Sequence, residues 1–236
     1  MRLAVISDLH LGRGDLADAF GHEDAEFVRF LKWLERHFEK IVLLGDIFDV
    51  LTAPRFGSQR AEFQQIRRAH PELVARLLSP PYIYVHGNHD RAARQVFATP
   101  REMVVEDHGA RILFTHGHHF DWIIHRARHL SDASVWMGGW MRRLGWNAIY
   151  RFGYELDMRL RMGRESGLVS KFQKWAVALA AARHADVVVT AHTHWPCVRT
   201  IGSRMFLNSG ACFEGRFEFL HLDTQSATFE LGKGRP

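Results

Sequence analysis

Five short apolar runs, each leading into polar residues, constrain this 236-residue chain more than any other feature. RLAVIS precedes Asp8, KIVLL precedes Gly45 and Asp46, YIYV precedes Gly87 and Asn88, RILFT precedes His116, and DVVVT precedes His192. Runs of this length, rich in Val, Ile and Leu, read as buried strands. Between the first two lies EDAEFVRFLKWLERHFE, where Phe27, Phe30, Leu31, Leu34 and Phe38 keep helical spacing. A second helix is expected over 59–78. Strand and helix alternation implies an α/β architecture, in which ligand-binding residues collect in loops beyond the strands' carboxyl ends. The C-terminal runs CVRTI, RMFLN, RFEFLHL and ATFEL, with Gly202, Gly210 and Gly215 at turns, predict a second sheet packed on the first. The expected fold is a four-layer αββα sandwich, two facing mixed sheets flanked by helices, with a helical insertion.

The polar residues at these strand ends carry the chemistry. Asp8 and His10 stand two apart after an extended run, which points their side chains to the same side, and His192 and His194 repeat the arrangement in AHTH. With Asp46, Asn88 and His116 they make seven oxygen or nitrogen ligands, more than one metal ion requires. Two divalent ions sharing a bridging carboxylate fit that number. Mixed carboxylate, imidazole and amide ligation without thiolate favours Mn²⁺, Fe or Zn²⁺ over Ca²⁺ or an iron–sulfur cluster, and among the three Mn²⁺ is the expectation. Paired ions roughly 3.5–4 Å apart lower the pKa of a water toward about 7 and steady charge on a phosphoryl oxygen. The chemistry implied is phosphoester or pyrophosphate hydrolysis. In GNHD, Asn88 is the ligand, while His89 is placed to contact the phosphoryl oxygen or protonate the leaving oxygen, with Asp90 orienting its ring.

Sixteen histidines are a compositional outlier, and the clustered ones (His116, His118, His119, His192, His194) need an account beyond surface or capping roles, which serve for His22, His37, His70, His108, His184 and His221. The two cysteines, Cys197 and Cys212, form no CxxC pair, which argues for a reduced compartment and against a thiolate metal site. No run of about 18 uncharged apolar residues appears, and MRLAVISDLHLG reaches Asp8 too soon for a secretory signal, so a cytoplasmic location is expected.

The segment 118–185 stands apart. It lacks strand-like runs, holds five of the seven tryptophans (Trp122, Trp136, Trp140, Trp146, Trp175), and carries eleven Lys or Arg against five Asp or Glu, whereas the remainder is balanced at 20 against 21. Gly138, Gly139, Gly145, Gly153 and Gly163 are expected to divide it into several helices. Arg126, Arg128, Arg142, Arg143, Arg159, Arg161 and Arg164 read either as a solvated face or as partners for phosphates and anionic membrane. Trp136, Met137, Trp140 and Met141 read either as packing against the core or as acyl-chain contacts.

With D-L-H, G-D-I-F-D, G-N-H-D, T-H-G-H and A-H-T-H in order, the chain resembles the calcineurin-like metallophosphoesterases, and Asn208-Ser209-Gly210 resembles the Asn-x-Gly turn that follows their last histidine pair. The resemblance implies one metal held by Asp8, His10, Asp46 and His194, and another by Asp46, Asn88, His116 and His192. It gives His89 the catalytic role, supported by Asp90. Within that superfamily the basic, aromatic insertion is similar to the lid of UDP-2,3-diacylglucosamine diphosphatases, peripheral membrane enzymes that release a lipid monophosphate and UMP. That likeness implies a single domain over 1–236 with a lid at 118–185. It implies substrate contacts from Asn88, His89, His118, Asp121, Arg159 and Lys171, and a peripheral position on the inner membrane surface. Typical members carry arginine where this chain has His89, and usually an acidic residue where it has His118. Two other readings remain: a soluble phosphodiesterase or nuclease gripping a nucleic-acid backbone with the insertion, and a non-catalytic scaffold. Nucleic-acid affinity falls steeply with salt through counterion release, and acyl-chain recognition does not.

Overall fold

The computed structural model describes residues 1–91, 98–121, 124, 126–162 and 169–233, with the side chains of 154, 155, 157–162 and 233 outside that description. One sheet contains β1 (Arg2–Ile6), β2 (Lys40–Leu44), β3 (Tyr82–Val85), β9 (Glu218–Asp223) and β10 (Thr228–Lys233), in the order β10-β9-β1-β2-β3. The other contains β4 (Glu102–Asp107), β5 (Ala110–Thr115), β6 (Val187–Thr190), β7 (Cys197–Ile201) and β8 (Arg204–Asn208), in the order β4-β5-β6-β8-β7. The five apolar runs are thus β1, β2 and β3 of the first sheet and β5 and β6 of the second, parallel to their neighbours among these runs.

Their continuous hydrophobicity follows from burial on both faces. Leu3, Val5, Val42, Leu44 and Val85 face the other sheet, where Ile112, Phe114, Val187, Val189 and Leu207 meet them. The alternate residues Ala4, Ile6, Ile41 and Leu43 face the helices α1 (Asp24–His37), α2 (Gln59–Ala69) and α3 (Pro71–Leu77), through Phe27, Phe30, Leu31, Phe63, Ile66 and Leu73. On the far side, Leu113, Val188 and Phe206 pack on Phe172, Ala176 and Ala180. The layers therefore run helix, sheet, sheet, helix, as the sequence predicts.

Several details differ from expectation. The C-terminal strands divide between the sheets: β7 and β8 extend the second, while β9 and β10 join the first, with Val5 opposite Leu220 and Arg2 opposite Asp223. Pairing β9 with β1 covers an edge whose N–H and C=O groups would otherwise lie open. The strand β4 went unrecognised in the sequence. The helix expected over 59–78 is two, because Pro71 lacks an N–H and starts a new first turn after His70.

The 118–185 segment contains no strand among its described residues. It contains a 3-10 turn, His118–Phe120, then α4 (Arg128–Arg143), α5 (Asn147–Met162) and α6 (Lys171–Ala182). Gly138, Gly139 and Gly153 lie inside helices instead of dividing them; Gly139 is small because a Cβ there would come within 3.1 Å of Thr52. That close approach seats α4 on the 3-10 turn Val50–Thr52, where the indoles of Trp136 and Trp140 both donate to the Pro54 carbonyl, at 3.3 and 3.1 Å. Gly145, at φ +78, does separate α4 from α5. Ser170 starts α6 with a capping box through Gln173. Trp122, Gly163 and Arg164 lie outside the described residues, as do the side chains of Arg159 and Arg161.

Candidate metal centre

Asp8, His10, Asp46, His192 and His194 all have left-handed backbone, with φ between 46° and 67°. Such φ values are uncommon for residues with a Cβ and cluster where function demands strain. They correct the reason for the expected pairing. Asp8 and His10 lie past the end of β1, and His192 and His194 past β6; left-handed turns rather than strand pleat bring Asp8 and His10 together and send His192 and His194 to different ligand groups.

The result is two compact groups. Ligand atoms of Asp8, His10 and His194 lie within 4.8 Å of one another, and so do those of Asp46, His116 and His192. His194 Nε2 is 3.1 Å from Asp8 Oδ1, and His116 Nε2 is 3.2 Å from Asp46 Oδ2. Three polar atoms here, His10 Nε2, Asn88 Oδ1 and His116 Nε2, are buried without a hydrogen-bond partner among the described residues. Buried polar atoms are rarely left so. His116 shows why: its Nδ1 donates to the Leu44 carbonyl at 2.8 Å, which leaves Nε2 as the atom that faces the carboxylate. Imidazole nitrogens and an amide oxygen without hydrogen-bond partners, set beside the Asp8 and Asp46 carboxylates, suit a divalent cation, and the donor set fits one or more.

Electrostatics agree. Burial disfavours charge on both Asp8 and Asp46, yet Asp8 is lowered by His194, and Asp46 well below the usual range by His116 and His89. Burial also opposes charge on His116, but the nearby carboxylates, Asp46 first, push it up to about 10. The direction of that shift marks carboxylates that draw positive charge into the site. His10 goes the other way, down to about 4, through burial and then the neighbouring His89.

Glycines make the closeness possible. A Cβ on Gly87 would fall 2.0 Å from Asp46 Oδ1, and one on Gly45 2.5 Å from His116 Nδ1. Asn208 ties down the histidine loop, its amide donating to Thr190 Oγ1, the Ala191 carbonyl and Thr193 Oγ1 at 3.1, 2.8 and 3.1 Å. Ser7 donates to Asp8 Oδ2 at 2.6 Å and lies 2.8 Å from Ser209 Oγ, tying the Asn-x-Gly turn to the first ligand.

The partner expected for His89 is corrected. Asp90 does not orient its ring. Instead the Asp90 carboxylate accepts from the backbone N–H of Ile47 at 2.7 Å and of Gly87 at 2.6 Å, and from the Tyr84 hydroxyl. His89 Nδ1 lies 3.0 Å from Asp49 Oδ1. The signal was present as the second aspartate of GDIFD, three residues after Asp46. His10, Asp49 and His89 form a third close group, with the His10 and His89 rings 4.6 Å apart and nearly perpendicular.

Of the other expected contacts, His118 is buried, its ring 5.5 Å from that of His116. Asp121 accepts from Ile124 N–H at 3.4 Å, and Lys171 is exposed on the first turn of α6; neither belongs to a ligand group among the described residues.

The family model for calcineurin-like phosphoesterases matches residues 1–196. The chain belongs to the calcineurin-like phosphoesterase family. Curated relatives include UDP-2,3-diacylglucosamine hydrolases of Serratia proteamaculans, 28% identical over 129 residues, and of Pectobacterium atrosepticum, 32% identical over 129 residues. Each match covers 50% of this chain and 48% of the relative, so the chain spans about half the length of the curated relatives it matches. Among solved structures, a hypothetical protein from Pyrococcus horikoshii OT3 superposes with a TM-score of 0.53 at 10% identity, over 98% of this chain and 87% of that one, a likeness of fold alone. Family and ligand clusters together support divalent metal binding at this phosphoesterase centre.

Proposed function

We propose that this chain is a hydrolase, dependent on two divalent cations, that cleaves the pyrophosphate of a lipid-linked sugar nucleotide of the UDP-2,3-diacylglucosamine kind. The observation that carries the reading is the pair of three-residue ligand groups with unpartnered polar atoms at their centre. Asp8, His10, Asp46 and His194 would hold one cation, and Asp46, Asn88, His116 and His192 the other; we take the ions to be Mn²⁺, with Fe or Zn²⁺ open to the same donors. Such ions supply charge to the phosphoryl oxygens and acidify the attacking water. His89, engaged by Asp49 through Nδ1, keeps Nε2 for the substrate's phosphoryl or leaving oxygen. Asp90 fixes the loop that presents Asn88 and His89.

Two features support the lipid-linked substrate. One is the name borne by the curated relatives over half their length. The other is the 118–185 segment as a lid, where Leu130, Leu144, Ile149, Phe152 and Leu156 are exposed while Arg142 and Arg143 fasten α4 to the Asp18 carbonyl and the Asp15 carboxylate. Apolar surface with basic residues suits acyl chains at an anionic membrane face. We place the protein in the cytoplasm, peripheral on the membrane; no described helix is long and apolar enough to cross one.

The test is turnover by Mn²⁺-loaded protein of UDP-2,3-diacylglucosamine, a dinucleotide pyrophosphate and an aryl phosphodiester. Preference for the first is expected. Faster turnover of the aryl diester, or of nucleic acid with steep salt dependence, overturns the substrate assignment.

A further inference from the structure

Arg91, Arg101 and Arg128 converge on a cleft of about 190 Å³ that His86, His118, His119 and Ile124 also line. They come from three separate places: the end of the GNHD loop, the residue before β4, and the first turn of α4. Like charges gathered in one cleft raise the potential each of them feels, so such a cluster calls for a counterion. Among the described residues, the carboxylate within ion-pairing range is that of Asp132, 3.5 Å from Arg128 Nε. Arg101 instead donates from Nε to His119 Nε2 at 2.7 Å, which makes that imidazole an acceptor. Burial, and next the Arg101 charge, hold His119 down at about 3, so it adds no positive charge of its own. His118 stacks on it with centroids 3.8 Å apart, and its buried Nδ1 has no hydrogen-bond partner among the described residues.

The cleft adjoins the metal centre. His118 is the shared wall, its ring 5.5 Å from that of His116. We propose that Arg91, Arg101 and Arg128 form an anion subsite that receives a second phosphoryl group of the substrate, one imidazole away from the metal ligands. A guanidinium fork matches phosphate oxygens bidentately and keeps its charge throughout the physiological range. The cleft is below the roughly 300–1,000 Å³ of whole-ligand pockets, room for part of a ligand, and its three arginines suit the phosphoryl part. The subsite thereby selects diphosphate esters, which place charge in both positions, over simple phosphodiesters. The identity of the ligand as a substrate rests on the hydrolase reading; the anion site itself does not.

Protein stripped of divalent cations, titrated calorimetrically with orthophosphate and methylenediphosphonate, separates the two. Both probes are expected to bind, and the Arg91→Gln/Arg101→Gln double variant to weaken both at least ten-fold. Arg101→Gln alone, at an exposed position, gives a smaller loss and keeps the test valid should the double variant unfold. Arg29→Gln, exposed on α1, should bind as the parent does. Absence of binding to the stripped protein, or binding indifferent to the arginine substitutions, overturns the subsite. In Mn²⁺-loaded enzyme, the double variant should lower the kcat/KM ratio of diphosphate ester to aryl phosphodiester at least ten-fold; an unaltered ratio counts against the role in selection. A parent protein that binds the diphosphonate through these arginines but hydrolyses neither ester sinks the hydrolase reading and leaves the anion site standing.

Discussion

Nδ1 of His89 lies 3.0 Å from Oδ1 of Asp49, and that contact rather than sequence adjacency decides which aspartate governs the histidine. Burial opposes an imidazolium here, but Asp49 and then Asp46 push His89 up to about 9. Asp49 thus favours the charged, donating form of His89, suited to a phosphoryl or leaving oxygen.

Replacing either aspartate separates the two roles. Asp49→Asn keeps the shape and removes the charge that steadies His89, so kcat should fall at least ten-fold with metal content retained. Asp90→Asn should cost stability as well, because the Asp90 carboxylate accepts two backbone N–H groups and the Tyr84 hydroxyl. Steady-state kinetics with thermal melts check both, and an Asp90→Asn protein matching Asp49→Asn in each readout would return the orienting role to Asp90.

Metal content tests the ligand groups independently of substrate. Asp46→Ala and His116→Ala each remove a buried member of one group, and elemental analysis should show at least one equivalent lost from each. Stripping the parent protein should lower its Tm, since a ligand that binds only the folded state stabilises it. Full metal occupancy in Asp46→Ala would end its assignment to both ions.

How much of this was legible beforehand follows from which signals are local. The apolar runs announced strands because both faces of β1, β2 and β6 are buried, and ligand-bearing loops followed from their ends. Sheet membership was not legible: β9 finds β1 across more than two hundred residues, and nothing in RFEFLHL marks that choice. The β4 strand is half-buried, and its apolar centre, Met103 to Val105, is only three residues long between Glu102 and Glu106, too short a run to stand out as the others do. Asp8 and His10 were read as neighbours through strand pleat, whereas the backbone turns left-handed at each. Asp49 stood in plain view in GDIFD but became meaningful only when the loop after β2 met the loop after β3.

Gly87 offers a steric test of that meeting. A methyl group at this position would sit 2.0 Å from Asp46 Oδ1 and 2.5 Å from the Asp46 backbone nitrogen. Neither atom can yield without moving the ligand loop, and overpacking of this kind costs about 1–3 kcal/mol. Gly87→Ala should be destabilised by that amount in urea melts and lose metal affinity. Gly57→Ala, with open space around the position but φ +79, should suffer backbone strain without any loss of metal.

A second charge cluster, outside the metal centre, gives the fold a pH dependence of its own to test. Asp18 accepts from the backbone N–H groups of Gly12, Gly14 and Phe20, and His70 links it to α1 through Asp24 at 2.7 Å, with Nε2 at ion-pair range, 3.8 Å, from Asp18. Burial works against the Asp18 charge, but His70 and the three backbone donors lower its pKa below the ordinary 3.8. Its contribution is therefore complete above that value and lost as pH falls through the depressed one. His70 has the opposite sign: burial lowers it, the two aspartates more than compensate, and its pKa rises above 6.5. Its contribution is complete below 6.5 and fades as pH climbs through the raised value. The cluster is thus worth most between the two ordinary values. In urea melts across pH 3–9, Asp18→Asn should flatten the acid side of the stability profile and His70→Gln the neutral side. A His70→Gln profile parallel to that of the parent from pH 6 to 9 would show that the ion pairs contribute nothing to folding.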